Sequence, residues 1–152
     1  MCIRDSNYRL SNILAALGRA QLTRLDDMIA RRRVLRDRYK TIFAEVPGVQ
    51  VFGAENDESD NVWLTSIIVD PRLSNWTPSS LSAALSEENI ESRPLWKPMH
   101  LQPVFSGARG EITGASEKLF ENGLTLPSGS ALSENQFDRV QNTIAEFLRA
   151  RH

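Results

Sequence analysis

The feature that most limits what this chain can fold into is one long amphipathic run near its start. Ser11 offers the side-chain oxygen of a helix N-cap. Leu14, Leu17, Leu25, Met28, Leu35, Tyr39 and Ile42 then recur at three-, four- and seven-residue steps or their sums. They form one stripe, with Arg24, Arg31, Arg38 and Lys40 largely off it. Pro47-Gly48 ends the pattern just after Glu45. A single helix of roughly 35 residues exceeds the usual globular length, and Gly18 is where it is expected to bend or break. Such a helix bridges two units. At 152 residues, the chain has room for one domain with a real core and not comfortably for two.

Downstream the period changes. Val49 to Phe52 reads as a short extended piece, followed by a polar loop from Glu55 to Asp60. Val62 to Val69 is apolar on both faces, the signature of a buried strand. Thr77-Pro78 opens a helix that buries Leu81, Ala84 and Leu85. Ile90 to Trp96 reads as a second strand, closed by a proline-rich loop. Ala115 to Asn122 suits a short helix with Gly123 as its C-terminal cap, and Leu124 to Leu126 a brief strand. Ser133 and Gln136 form a capping box for a last helix whose Phe137, Val140, Ile144, Phe147 and Leu148 share a face. The fold class is therefore α/β: a long N-terminal helix plus an α+β-like small domain, a small mixed sheet with helices packed on it.

Composition removes several function classes. The net charge of −1 creates no field that would recruit nucleic acid or anionic lipid. Neither a membrane span nor a secretory signal is legible, so the expected address is cytoplasmic. Cys2 is the only cysteine, and His100 and His152 are the only histidines. Metal-ligand spacing is missing, so no metal site is expected. Arg31-Arg32-Arg33 with Arg36 and Arg38, interleaved with Asp26, Asp27 and Asp37, reads as a solvated helix face. No G-x-S-x-G elbow, Walker loop or G-x-G-x-x-G turn occurs.

Three segments are candidates for chemistry. Asn7-Tyr8-Arg9-Leu10-Ser11-Asn12 puts an amide, a phenol and a guanidinium at a helix N-terminus, where anions are favoured, although simple capping explains such residues too. Pro94, Pro98 and Pro103 stiffen a loop that carries Arg93, Trp96, Lys97, His100 and Gln102. Cations, an indole and an imidazole on a rigid loop suit a phosphorylated or nucleotide ligand, and a solvated turn with Trp96 plugging the core is an equal reading. Leu126-Pro127-Ser128-Gly129-Ser130 can cradle a phosphate but reads better as a plain strand-to-helix turn.

In order along the chain, Asn7-Tyr8-Arg9-Leu10-Ser11-Asn12-Ile13 with Ala15-Ala16 and Gln21-Leu22, then Asn61 with Trp63-Leu64-Thr65, then Ser92 to Pro103, then Leu126 to Ser130, resemble the DegT/DnrJ/StrS-type sugar aminotransferases. These are fold-type I pyridoxal-phosphate (PLP) enzymes, and the likeness runs from Asn7 to about Leu148. The resemblance implies that residues 46–152 are a small C-terminal α/β domain and residues 7–45 an inter-domain and dimer-interface helix segment. Residues 1–6, Met1-Cys2-Ile3-Arg4-Asp5-Ser6, have no packing logic and read as a non-native leader.

It further implies that Asn7 reaches the cofactor phosphate in the neighbouring subunit of a homodimer, with Arg9 beside it. Arg93, Trp96, Lys97 and His100 then face the nucleotide-sugar substrate. The whole enzyme would move an amino group from glutamate to a nucleotide-linked keto-sugar, in surface polysaccharide or glycan biosynthesis. The Trp-Lys-Pro-Met-His and Pro-Ser-Gly-Ser wording is closest to enzymes acting on a UDP-linked 4-keto-6-deoxy amino sugar. PLP would be held mainly by an N-terminal portion not included here, which carries the Schiff-base lysine. Lys40, Lys97 and Lys118 lack that lysine's strand-end setting, so this chain holds no catalytic residue and is expected to be inactive alone. Two other readings compete: a non-enzymatic α/β interaction module docking through its long helix, and a fold-type I PLP enzyme acting on amino acids.

Overall fold

A computed structural model describes residues 10–53 and 59–151. Asn7, Arg9, the suggested leader and most of the polar loop before Asp60 lie outside the described residues.

The single long helix is in fact two, α1 (Asn12–Leu22) and α2 (Leu25–Phe43). Ser11 caps α1 as expected, its hydroxyl accepting from the Leu14 amide. The break falls at Thr23-Arg24 rather than at Gly18. The Thr23 side chain donates to the Ala20 carbonyl at 2.8 Å, competing for an acceptor the helix would use.

The rest comprises β1 (Val49–Val51), β2 (Thr65–Val69), the one-turn α3 (Pro71–Ser74), α4 (Pro78–Glu87), β3 (Arg93–Pro94), α5 (Ala115–Asn122), β4 (Gly123–Leu126) and α6 (Glu134–Arg149). The sheet runs β1-β2-β4-β3 and every neighbouring pair is antiparallel, where a mixed sheet was expected. β2 and β3, joined through a helix, do point the same way, but β4 lies between them and opposes both.

β2 and β3 are both shorter than the runs that signalled them. Ahead of β2, the Asp60 carboxylate and the Asn61 side-chain carbonyl accept from the Val62 and Trp63 amides at 2.9 and 3.0 Å. Val62 sits at φ 50°, so this stretch turns instead of pairing. β3 is an edge strand of two residues, a place where Pro94 costs no ladder bond. Gly123 is the C-cap of α5, as expected, but it is extended at φ −102° rather than left-handed and also starts β4. Glycine is needed there for another reason: a Cβ would stand 2.5 Å from the Leu119 carbonyl oxygen.

One face of β2 and β4, carrying Ile67, Val69, Leu124 and Leu126, meets Leu35, Tyr39 and Phe43 of α2, Leu81 and Leu85 of α4, and Phe137 and Ile144 of α6. Phe137 stands edge-on to Tyr39 with centroids 5.0 Å apart, and Trp76 edge-on to Phe147 at 5.3 Å. Both capping boxes are formed, Thr77 with Ser80 and Ser133 with Gln136.

The arginines of α2 are not a solvated face. Arg31 binds the Leu132 carbonyl at 3.0 Å and Glu134 at 2.7 Å. Arg38 reaches Glu134 and Asp138, each at 2.7 Å, and lies over the Phe137 ring. Arg36 is buried and pairs with Asp60 at 3.1 Å. The interleaved aspartates gave no hint of this, because the partners lie a hundred residues away on α6 or on the loop before β2.

Candidate functional site

The candidate site is the segment leaving the edge strand β3. Prolines fix φ at both ends of Pro94–Pro98, and two 3₁₀ turns follow, Met99–Leu101 and Pro103–Phe105. The Gln102 side-chain amide donates to the Lys97 carbonyl at 3.3 Å, tying the loop to itself. Pro98 is the buried pivot, and its neighbours point outwards.

Trp96 does not plug the core. It is 69% exposed and lies against Trp63, itself 59% exposed, with ring centroids 5.8 Å apart and planes tilted by 35°. Trp63 is aimed there by the Asn61 turn that delays the start of β2. Lys97 is exposed beside Trp96. His100, set by the first 3₁₀ turn, is half-buried, and its Nε2 lies 2.8 Å from Glu117 Oε1 at the start of α5. Arg93 is separate from this group: it projects from β3 into an exposed ion pair with Glu91 at 2.6 Å. The structure therefore brings Trp96, Lys97 and His100 onto one braced segment, while Arg93 stands at its root.

The Leu126–Ser130 segment is the plain turn that was favoured. Ser128 is buried and its hydroxyl accepts from the Thr65 amide at 3.1 Å. Tyr39 donates its hydroxyl to the Pro127 carbonyl at 2.7 Å. Burial pushes the Tyr39 phenol well above its ordinary range, with Arg38 opposing weakly. This hydroxyl group is a structural donor.

Sequence reasoning missed Trp63 and Glu117 as members of the site. Trp63 lies in a segment that reads as continuous strand, and Glu117 in a short helix to which the sequence assigns no chemistry. The Asp-Asn pair ahead of Val62 was the available signal for the first, since both residues favour Asx turns. No local signal exists for the second, because the contact spans 17 residues.

The chain's three lysines lie on two helices and an exposed loop. Lys40 is on α2 and pairs with Asp37, Lys97 is on the exposed loop, and Lys118 is on the outer side of α5. Among the described residues no group of three or more His, Cys, Asp or Glu is placed to hold a metal. No helix among them is long and apolar enough to cross a membrane.

The sequence pattern of the DegT/DnrJ/EryC1/StrS aminotransferase family matches residues 3–145. EpsN of Bacillus subtilis (strain 168), described as a pyridoxal phosphate-dependent aminotransferase, is 45% identical over 138 residues, covering 88% of this chain and 35% of EpsN. The GDP-perosamine synthase of Vibrio cholerae is 33% identical over 143 residues, covering 93% of this chain and 38% of that enzyme. A crystal structure of a DegT/DnrJ/EryC1/StrS aminotransferase from Brucella abortus superimposes with a TM-score of 0.74 at 29% identity, over 91% of this chain and 36% of that one. The chain spans little more than a third of the length of the curated relatives it matches. With that family's pattern matched across nearly its whole length and the expected α/β unit in place, the chain belongs to the DegT/DnrJ/EryC1/StrS aminotransferase family.

Proposed function

We propose that this chain is the small-domain part of a PLP-dependent aminotransferase that moves an amino group from glutamate to a nucleotide-linked keto-sugar. It would act in the cytoplasm as a homodimer, in polysaccharide or glycan biosynthesis. The observation that supports this reading best is the braced segment itself. It carries the exposed Trp96 indole, packed on Trp63 from the turn ahead of β2, with a free-standing ammonium and a half-buried imidazole on a rigid loop. Buried apolar area is normally what tryptophan contributes to a fold. Two tryptophans kept mutually packed and exposed suit stacking on a planar ligand group, with Lys97 placed for phosphate oxygens.

PLP, when bound, supplies the electron sink for amine exchange. The settings of Lys40 and Lys118 on helices and of Lys97 on an exposed loop support a covalent anchor outside this chain, whose own share of the work would be binding. Trp63 and Trp96 would orient the nucleotide, Lys97 would neutralise diphosphate charge, and His100 would meet the sugar. Asn7 and Arg9 would reach the cofactor phosphate across the dimer. Arg93, now held by Glu91, would have to release that partner to meet ligand.

The signature wording favours a UDP-linked 4-keto-6-deoxy amino sugar. A GDP-linked keto-sugar is the second reading, carried by the 33% identity to a protein named GDP-perosamine synthase. Extending the chain to the length of its relatives and following glutamate-dependent amination of each keto-sugar nucleotide tests both. Turnover of one, and loss of about tenfold or more in kcat/KM for His100→Ala, is the expected result. Turnover of neither, or a His100→Ala enzyme equal to the parent, would remove the reading in favour of an interaction module.

A further inference from the structure

The contact between His100 and Glu117 decides what kind of ligand group His100 can meet. A carboxylate only accepts hydrogen bonds, so the imidazole nitrogen 2.8 Å from Glu117 Oε1 must be the donor. That nitrogen is Nε2. In the neutral ring the proton is then committed to Nε2, and Nδ1 is left as a bare lone pair. Among the described residues Nδ1 has no hydrogen-bond partner, and it is not among the buried unpaired atoms, so it is open to solvent.

Both members of the pair are held from behind. His100 is fixed by the 3₁₀ turn whose Leu101 amide donates to the Pro98 carbonyl at 3.0 Å. Glu117 occupies the first turn of α5, where exposed backbone N–H groups and the dipole favour a carboxylate. Its second oxygen lies over Gly114, 3.4 Å from where a Cβ would stand. Only 25% of the His100 side chain and 32% of the Glu117 side chain are exposed, so water competes weakly for the bond.

We propose that Glu117 is a positioning residue that commits the His100 proton to Nε2, so that Nδ1 accepts a hydrogen bond from a hydroxyl of the sugar and takes no part in holding the phosphates. A lone pair attracts a hydroxyl proton and repels a phosphate oxygen. The division of labour follows: Lys97 reads the charge of the ligand and His100 reads its sugar. The ligand half of this inference rests on the function proposed above. The Glu117 half rests on geometry alone.

The chain's second histidine can be removed by His152→Asn, leaving one imidazole for nitrogen-15 NMR. The parent should show the proton on Nε2, protected from solvent exchange. Glu117→Ala should lose that protection, and Glu117→Gln, whose amide oxygen still accepts, should keep it. A proton on Nδ1 in the parent, or equal protection in Glu117→Ala, overturns the Glu117 half whatever the enzyme does.

In the enzyme at its relatives' full length, Glu117→Ala should raise KM for the keto-sugar nucleotide on the order of tenfold. It should add nothing in a His100→Ala background, because it acts through that ring. Inhibition by UDP or GDP alone, which lack the sugar, should be unchanged by either variant. An equal loss of nucleotide inhibition would overturn the assignment of His100 to the sugar. A His100→Ala enzyme with unchanged kcat/KM would overturn the ligand half together with the reading it rests on, while the NMR result stood.

Discussion

α1 and α2 come from one continuous amphipathic pattern, yet they have opposite fates. α2 buries Leu35, Arg36, Tyr39 and Phe43 against the sheet and α6. α1 buries nothing: Ile13 is 81% exposed, and Leu14, Leu17 and Leu22 are all more than half exposed. The same periodicity therefore describes a helix covered within the fold and a helix with no partner among the described residues. An apolar stripe states that something must be covered and leaves open what covers it. In α2 the answer is within the chain, written in the Arg31, Arg36 and Arg38 contacts as much as in the apolar ones.

The sharpest test of this contrast is a matched pair of truncations. Leu35→Ala should destabilise the chain by about 2–5 kcal/mol in denaturant titrations, from lost transfer energy and the cavity left behind. Leu17→Ala should change it by less than about 0.5 kcal/mol, as surface substitutions do. Equal costs would mean that α1 has a partner within the chain. Next in size is Arg36→Ala. It leaves Asp60 without its buried guanidinium and opens the seam between α2 and the start of β2, for a loss of about 1.5–3 kcal/mol. No loss would show that Asp60 is held by its Asx turn alone.

Smaller, but with a distinctive pH signature, is Tyr39→Phe. Removing the bond to the Pro127 carbonyl should cost about 0.5–1.5 kcal/mol near neutral pH. The folded phenol ionises at higher pH than the unfolded one, because burial disfavours the anion. Its contribution is thus fully present below the ordinary tyrosine value near 10 and is lost as pH rises beyond it. The parent should lose stability on titration above that point more steeply than Tyr39→Phe does, and parallel profiles would contradict the assignment.

What the sequence made legible was set by range. Caps, capping boxes and periods are local, so Ser11, Thr77, Ser133 and the apolar face of α6 could be read directly. The position of the split in the first helix was not legible because Thr23 acts through its hydroxyl, whereas Gly18 marks a flexibility that the helix does not need. The turn at Asp60–Trp63 hid inside an apolar run, which shortened β2 and brought Trp63 to the surface. Order within the sheet was not legible, because the β4 position between β2 and β3 depends on pairing and not on pattern. For the site, the loop prolines marked the right segment. Trp63 and Glu117 are brought to it only by the tertiary fold.

If this reading of the site is right, this chain supplies ligand-facing side chains and no cofactor-anchoring lysine. The direct measurement is to incubate the purified chain with PLP, reduce with borohydride and map the labelled lysines by mass spectrometry. Only sparse, unselective labelling of Lys40, Lys97 and Lys118 is expected, with a single stoichiometric adduct, at a lysine outside these 152 residues, once the chain is extended to its relatives' length. Stoichiometric labelling of one of those three lysines in the chain alone would contradict it.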